Sequence, residues 1–261
     1  MNKGLIIDNE YGKLYYDDAF SILPIIPDKS VDCICTDPDF GKGKVSKKWG
    51  VGLDLDLLFK HYERVLKPNG LIIIFSHGVF SAKLMLIREK MFKYGLVWKK
   101  DRTTGHLNAK RQPLKNHEDI LIFYKKQPVY NPQKFKGLKP HSVGKAVNTI
   151  PLENSMYGVH RRFNDHTDMK YPRTVLEFKA VTSSKRRYPT EKPIELITYL
   201  LKTYTNEGMV ILDNFCGSGV VAESSIINNR RFICVDRELK AIKLTINSIE
   251  KGIMNKPLPL F

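Results

Sequence analysis

The chain has 261 residues, of which 42% are hydrophobic, a length and composition that fit one α/β domain with an insertion and exclude a largely disordered chain. Its apolar runs are too short to span a bilayer and its first residues lack the pattern of a signal peptide, so we expect a cytoplasmic protein. The net charge of +16 predicts a polyanionic partner, with nucleic acid as the first candidate and a merely solvated basic surface as the alternative.

Short apolar strands alternate with helical patterns in the first half of the chain. Hydrophobic spacing predicts strands at 13–16, 31–35, 71–75, 96–98 and 120–124. Helical spacing predicts helices at 54–66 and 82–92. From about 127 to 171 this periodicity is replaced by prolines, glycines and basic residues, which indicates a loop-rich insertion.

The alternation returns after the insertion. The predicted helices there are 193–204, 220–228 and 239–250, and the predicted strands are 209–212 and 232–235. Strands that alternate with helices in this way predict a parallel, doubly wound sheet.

An acid and a proline follow the buried strand 31–35, in the run Asp37-Pro38-Asp39-Phe40. The acid, the proline and the aromatic ring of Phe40 together make a small polar site with a flat ring beside it. Such a site suits a planar amine that is held against a carboxylate. A helix or turn cap is the alternative role for Asp37.

A glycine loop, residues 213–219, lies between an apolar strand and a helix. Its glycines let the backbone approach a ligand, and the start of the helix offers free N–H groups. Asp236 ends the next strand, where an acid can bind ribose hydroxyls. The loop has an acid at the strand end and a single Gly-x-Gly, which favours S-adenosylmethionine over a ligand with a pyrophosphate. A tight turn with a capping Asp213 is the alternative.

These segments resemble the β-class amino-methyltransferases of DNA over nearly the whole chain outside the insertion. The run 37–40 is similar to the DPPY-type catalytic motif of that family, and 213–219 is similar to its D-P-F-C-G-S-G cofactor loop. The run 189–193 is identical to its P-T-E-K-P segment. Further similar segments are 66–70, 117–121 and 104–110, the last of which is most similar to adenine-modifying members.

The resemblance implies a Rossmann-like, mostly parallel sheet of seven strands, with helices on both faces and a loop-rich target-recognition insertion. It divides the chain into a catalytic part at 1–126, the insertion at 127–175 and a cofactor-binding part of the same domain at 176–261. It also implies methyl transfer from S-adenosylmethionine to the exocyclic 6-amino group of adenine. The substrate would be double-stranded DNA with one base flipped out.

The resemblance also implies roles for single residues. Asp37 and the Pro38 carbonyl would accept hydrogen bonds from the amine, and Phe40 would stack on the base. The residues implied to bind the cofactor are Asp18, Asp37, Thr190, Lys192, Asp213, Phe215, Cys216, Gly217, Gly219 and Asp236. The residues expected to contact DNA are Lys134, Lys136, Arg161, Arg162, Arg186 and Arg187.

Several residues depart from the family motifs. Among them, Asp39 and Asn214 replace prolines, and Phe40 replaces a tyrosine. Two alternatives therefore stay open: a cytosine 4-amino methyltransferase, and a degenerate homologue that binds DNA or cofactor with weak or no turnover. An RNA methyltransferase is a further alternative, which the insertion and the motif order disfavour.

The expected partners follow from the same resemblance. The resemblance implies a bacterial or phage-encoded enzyme. It also implies a restriction endonuclease as a cellular partner and a monomer or homodimer as the active form. We expect no metal ion, because the four cysteines form no Cys-x-x-Cys pair and no histidine cluster has ligand spacing.

Overall fold

The computed structural model describes residues 1–38, 53–137 and 168–257. These residues belong to two compact units, a larger one formed by Met1–Asn131 with Thr174–Phe261 and a smaller one formed by Pro132–Arg173. Four residues with predicted roles or departures lie outside the described ranges: Asp39, Phe40, Arg161 and Arg162.

Strands and helices alternate through the larger unit. The strands of the described residues are β1 (Gly4–Asn9), β2 (Gly12–Tyr16), β3 (Val31–Thr36), β4 (Leu66–Ser76), β5 (Phe92–Thr104), β6 (Lys115–Tyr124), β7 (Phe135–Lys136), β8 (Met169–Lys170), β9 (Val175–Glu177), β10 (Val210–Asp213) and β11 (Arg231–Asp236). The helices are α1 (Ala19–Ile22), α2 (Leu55–Val65), α3 (Val79–Ile87), α4 (Ile194–Tyr204), α5 (Val220–Ile227) and α6 (Leu239–Met254).

Nine strands of the described residues form one sheet, in the order β1-β2-β11-β10-β3-β4-β6-β5-β9. The five strands from β2 to β4 in that order run parallel, and β6 lies antiparallel to both of its neighbours. The prediction of a mostly parallel α/β sheet is therefore confirmed, but the predicted number of seven strands is wrong.

The two unpredicted strands, β1 and β9, form the edges of the sheet. β1 is half-exposed along its length, and β9 has three residues of which one is buried. Neither strand shows the continuous apolar run by which the central strands were recognised. A turn signal was present beside β1, because the Asn9 side chain accepts hydrogen bonds from the N–H groups of Tyr11 and Gly12 at 3.0 and 3.1 Å.

Alternate side chains of the central strands enter two different cores. Ile72 and Ile74 of β4 pack with α2 on one face of the sheet. Ile73 and Phe75 of the same strand pack with α4 on the other face. This two-residue period is that of a strand covered on both sides, and it confirms helices on both faces.

The helix predicted at 82–92 begins and ends earlier, at Val79–Ile87. Phe92 and Tyr94 instead begin β5, opposite Phe123 and Ile122 of β6. Their alternation with polar residues fits a strand better than a helix, so cross-strand packing decides the boundary.

The smaller unit is described at its two ends, where β7 and β8 pair antiparallel. It lies inside the predicted insertion 127–175, whose role in target recognition stays a prediction. Within residues 1–38, 53–137 and 168–257 no helix is long and apolar enough to cross a membrane.

Candidate active site

Four acidic residues follow the carboxyl ends of parallel strands on one edge of the sheet. Asp18 follows β2, Asp37 follows β3, and Asp213 and Asp236 are the last residues of β10 and β11. They line a single cavity of about 270 Å³, near the lower end of the roughly 300–1,000 Å³ of small-molecule sites. The cavity lies where open α/β sheets bind ligands, because the strand ends and the following loops leave a crevice there.

The cavity brings together most of the predicted site. Its lining includes Pro38 and nine of the predicted cofactor-binding residues: Asp18, Asp37, Thr190, Lys192, Asp213, Phe215, Cys216, Gly217 and Asp236. Among the described residues, Gly219 is the predicted cofactor contact that does not line it. Gly219 is instead the N-cap of α5, with a φ of +76°, and a Cβ there would lie 2.6 Å from Thr245 Cα. Its role in the structure is therefore close packing of α5 against α6.

Asp213 is almost completely buried, with 4% of its surface exposed. Its carboxylate accepts hydrogen bonds from the Thr36 hydroxyl at 2.9 Å and the Phe215 N–H at 3.2 Å. Burial is the main cause that raises the pKa of Asp213 to about 7. The two hydrogen bonds lower this pKa, while the nearby carboxylates of Asp37 and Asp236 raise it further.

Asp236 fixes the glycine loop. Its two oxygens accept hydrogen bonds from the N–H groups of Gly217 and Glu238, each at 2.9 Å. Gly217 has a φ of +51°, and a Cβ on it would lie 3.2 Å from the Tyr188 ring. The loop therefore requires glycine both for its conformation and for its approach to Tyr188.

Asp18 has a structural task in addition to its place in the cavity wall. It caps α1, with its Oδ1 accepting from the Phe20 N–H at 2.9 Å. Its Oδ2 lies 3.6 Å from the Arg237 guanidinium. The short α1 thus holds the carboxylate at the rim of the cavity.

Lys192 lies beside Asp37. Its ammonium donates a hydrogen bond to Asp37 Oδ2 and lies 3.4 Å from Glu118 Oε2. Burial raises the pKa of Asp37, and the Lys192 charge holds part of that rise back. Burial lowers the pKa of Lys192, but the carboxylates of Asp37 and Glu118 outweigh burial and leave that pKa above its usual value. Lys192 is thus a buried counter-ion of Asp37 in this structure.

Asn214 replaces the proline of the family loop and is 1% exposed. Its Oδ1 accepts a hydrogen bond from the Tyr62 hydroxyl at 2.7 Å, while its Nδ2 has no hydrogen-bond partner. The assigned amide orientation leaves one group unpaired, whereas the flipped amide would also leave the Tyr62 hydroxyl hydrogen without an acceptor.

The residues present fit S-adenosylmethionine. Six acidic residues line the cavity against two basic ones, Lys192 and Arg237, so the wall suits a ligand with positive charge, such as a sulfonium and an ammonium.

The sequence pattern of the DNA methylase family matches residues 31–247 of the chain, which includes the strand ends that form this cavity, apart from Asp18. The chain belongs to the N6/N4 DNA methylase family. It is accordingly an S-adenosylmethionine-dependent DNA amino-methyltransferase.

Curated relatives of this methylase cover most of its length. The DNA adenine methyltransferase YhdJ of Escherichia coli (strain K12) is 27% identical over 254 residues, which are 93% of this chain and 84% of YhdJ. The type II methyltransferase M.HpaI of Haemophilus parainfluenzae is 27% identical over 248 residues, 90% of this chain and 70% of that protein.

Solved structures share the fold of the methylase. The M1.HpyAVI–SAM complex superimposes with a TM-score of 0.62 at 22% identity, over 90% of this chain and 97% of that chain. The PvuII DNA methyltransferase (cytosine-N4-specific) superimposes with a TM-score of 0.69 at 14% identity, over 95% and 89%.

The residues expected to contact DNA are divided between the two units. In the smaller unit, Lys134 Nζ lies 4.5 Å from the centroid of the Tyr171 ring, and Lys136 pairs with Asp168 at 3.6 Å. In the larger unit, the exposed Arg186 donates to the backbone carbonyls of Val181 and Pro189 at 3.3 and 3.4 Å. The contact of Lys134, Lys136 and Arg186 with DNA stays a prediction.

Arg187 has internal partners. Its guanidinium bonds to Glu191 at 2.5 Å and to the Ser248 hydroxyl at 2.9 Å, and it lies 3.7 Å from Glu223. These partners join the 189–193 segment to α5 and α6 through the Arg187 guanidinium. The contact of Arg187 with DNA stays a prediction.

Several residues at the site have no role predicted from the sequence, and two of them make contacts that matter for the chemistry. Tyr188 packs against the glycine loop, and Glu118 contacts Lys192. Tyr188 adjoins the segment 189–193, and Glu118 belongs to the segment 117–121. Both segments are similar to family motifs, but the resemblance implied no role for either residue. Their function depends on which side chains the fold brings together.

Proposed function

We propose that this methylase transfers the methyl group to the 6-amino group of adenine in DNA, with the base flipped out of the duplex. The observation that carries the proposal is Asp37 at the end of β3, followed by the buried Pro38, in the same cavity wall as Asp213. The proposed amine acceptor and the glycine loop therefore line the same cavity.

Asp37 and Pro38 supply the acceptors for the exocyclic amine. The Asp37 carboxylate accepts one N–H and the Pro38 carbonyl accepts the other, which favours a pyramidal nitrogen with a free lone pair. The rate enhancement is then mainly positioning and electrostatics. Phe40, outside the described residues, is proposed to stack on the base.

The cofactor supplies an electrophilic methyl group on a sulfonium. Asp213 and Asp236 provide negative charge on the cavity wall toward it. Gly217 and Phe215 shape the wall of the loop, and Asp18 is proposed to lie at the adenine end. Thr190 lines the same cavity near Lys192, whose ammonium is directed to Asp37 rather than into a free position for a cofactor carboxylate.

The segment 127–175 is proposed to recognise the target sequence. Its described ends carry two contacts between a cation and an aromatic ring, Lys134 over Tyr171 and Arg173 over Phe135. Exposed rings and cations of this kind can bind bases and phosphates. The names of the type II relatives also support a restriction endonuclease as a cellular partner.

Cytosine is the second candidate base, because the family comprises both N6 and N4 enzymes. Aspartate rather than serine at position 37 favours adenine. DNA incubated with the protein and labelled cofactor, then digested to nucleosides and analysed by mass spectrometry, identifies the product. We expect 6-methyladenine; 4-methylcytosine would contradict the choice of base, and no product would support a degenerate homologue.

The role of Asp37 is tested by Asp37→Asn. We expect the rate of methyl transfer to fall by about a hundredfold or more, because the amide loses the charged acceptor. Cofactor affinity, measured by calorimetry, should change far less. Asp8→Asn on β1, whose carboxylate pairs with Lys13 at the surface, is the control and should retain full activity. An Asp37→Asn enzyme with wild-type rate would show that another residue accepts the amine.

A further inference from the structure

The Lys192 ammonium lies between two carboxylates that come from different strands. Asp37 follows β3 and accepts its hydrogen bond, while Glu118 on β6 lies 3.4 Å away. The Lys192 side chain is 8% exposed, and the Asp37 and Glu118 side chains are 20% and 21% exposed. The ammonium can therefore exchange one carboxylate for the other within the protein, without entering solvent.

Glu118 is held in place independently of Lys192. Its Oε1 accepts a hydrogen bond from Lys100, whose ammonium also lies 4.6 Å from the centroid of the Trp98 ring. Trp98 is 2% exposed and donates to the Phe178 carbonyl at 2.9 Å. The second acceptor for Lys192 is thus fixed by a buried part of the sheet.

Lys192 and the base amine are donors of the same kind. Each presents N–H groups to a carboxylate, and a charged donor binds more strongly than a neutral amine. As long as the ammonium bonds to Asp37 Oδ2, it neutralises the charge of that carboxylate and so weakens the carboxylate as an acceptor for the amine. A move of less than about 1 Å shortens the 3.4 Å contact with Glu118 to a charge-assisted hydrogen bond.

We propose that Glu118 is a positioning residue, which takes the Lys192 ammonium from Asp37 when the base amine docks. Asp37 then accepts the amine while Lys192 stays paired in its buried position. The inference rests on the proposed role of Asp37 as the amine acceptor. It differs from a role for Lys192 in holding the carboxylate of the cofactor.

The ionisation of Glu118 and Lys192 supports the exchange. Burial raises the pKa of Glu118, but the charges of Lys192, Lys100 and Lys115 outweigh this and lower it to about 2. Glu118 is therefore a carboxylate throughout the neutral range, and Lys192 stays protonated. Both partners keep the charges that the exchange requires.

Glu118→Gln removes the charge of the second acceptor and keeps its shape. We expect kcat/KM for DNA to fall roughly 10- to 100-fold, the effect of losing one hydrogen bond to a charged group. Cofactor affinity should stay at the wild-type value. Glu177→Gln is the matched control, because Glu177 pairs with Lys99 of the same sheet at 2.9 Å but is exposed; it should leave kcat/KM unchanged.

A comparison of two DNA duplexes separates positioning from a structural effect. After the wild-type site is mapped, affinity is measured for a duplex with adenine at the target and for one with purine, which lacks the 6-amino group. The energy needed to flip each base is the same for both proteins and cancels when they are compared. We expect the affinity for adenine relative to purine to be higher in the wild type than in Glu118→Gln, since Lys192 of the variant stays on Asp37. A preference equal to that of the wild type would overturn the proposal.

Two further results show whether the variant fails to fold, the exchange is wrong or the proposed function is wrong. If Glu118→Gln does not fold, Glu118→Asp retains the charge at a greater distance and should show a reduced preference for adenine; an unreduced preference would refute the exchange. If the wild type methylates no base, the proposed function fails, whereas a methylating wild type with an unaffected Glu118→Gln variant contradicts the exchange alone.

Discussion

Burial and neighbouring negative charge act on Asp213 in the same direction. Burial is the main cause that raises its pKa to about 7, and Asp37 and Asp236 add to the rise. Because its pKa is higher in the folded than in the unfolded protein, its contribution to stability is fully present below about pH 4 and is lost as the pH rises to about 7. The ligand-free site therefore holds negative charge that a cationic ligand can compensate.

Cofactor affinity should consequently depend on pH. A positively charged ligand favours ionised Asp213, so below about pH 7 binding must displace a proton, and affinity should fall by up to about tenfold per pH unit. Calorimetric titrations of the wild type and of Asp213→Asn across this range test the assignment. The Asn variant should bind more weakly and without this slope. A slope of the same size in the variant would assign the titration to another group.

At the scale of elements, the contact of α5 with α6 sets the position of the glycine loop. Gly219 is the N-cap of α5 and lies against Thr245 of α6. Glu223 of α5 is 1% exposed and pairs with Lys251 of α6 at 2.7 Å. The loop is thus held at Gly219 by helix packing and at Gly217 by its hydrogen bond to Asp236.

The contribution of packing at Gly219 to stability can be measured separately from that of its backbone conformation. Gly208 has nearly the same φ, +79° against +76°, but a Cβ there would contact nothing within 4 Å. Gly208→Ala should cost about 1–2 kcal/mol of unfolding free energy, the strain of a left-handed residue. Gly219→Ala should cost clearly more, because its methyl group also meets the Thr245 backbone. Chemical denaturation measures both, and equal losses would show that α6 moves aside freely.

Charge is divided unequally over the whole molecule. The chain carries a net charge of +16, yet the candidate active-site cavity is lined by six acidic and two basic residues. A basic exterior attracts a polyanion, whereas an acidic cavity attracts a cation. One protein can thereby bind two ligands of opposite charge at separate places.

DNA binding should therefore depend steeply on salt. Release of counterions from the phosphates should lower DNA affinity by at least about a hundredfold between roughly 50 and 200 mM salt. Cofactor affinity, which depends on groups inside the cavity, should change much less over the same range. Fluorescence anisotropy with labelled duplex and calorimetry with cofactor give the two slopes. A DNA affinity that does not respond to salt would contradict a phosphate-dominated interface.

The amino-acid sequence determined the central part of the fold and the acids at its strand ends. The buried strands were recognised because their apolar runs are a local property, and Asp37, Asp213 and Asp236 followed because they stand next to those runs. The edge strands β1 and β9 were not recognised, since their pairing with neighbours rather than their hydrophobicity makes them strands.

Only the tertiary structure decided how the charges in the site are paired. Lys192 and Asp37 are 155 positions apart, and neither the P-T-E-K-P segment nor the acid–proline pair contains any sign that they meet. Glu118 joins them from a third element, β6. Side-chain pairing across a sheet depends on strand order and register, which hydrophobic periodicity leaves open. The sequence thus determines which groups are available for the chemistry, and folding determines which of them are in contact.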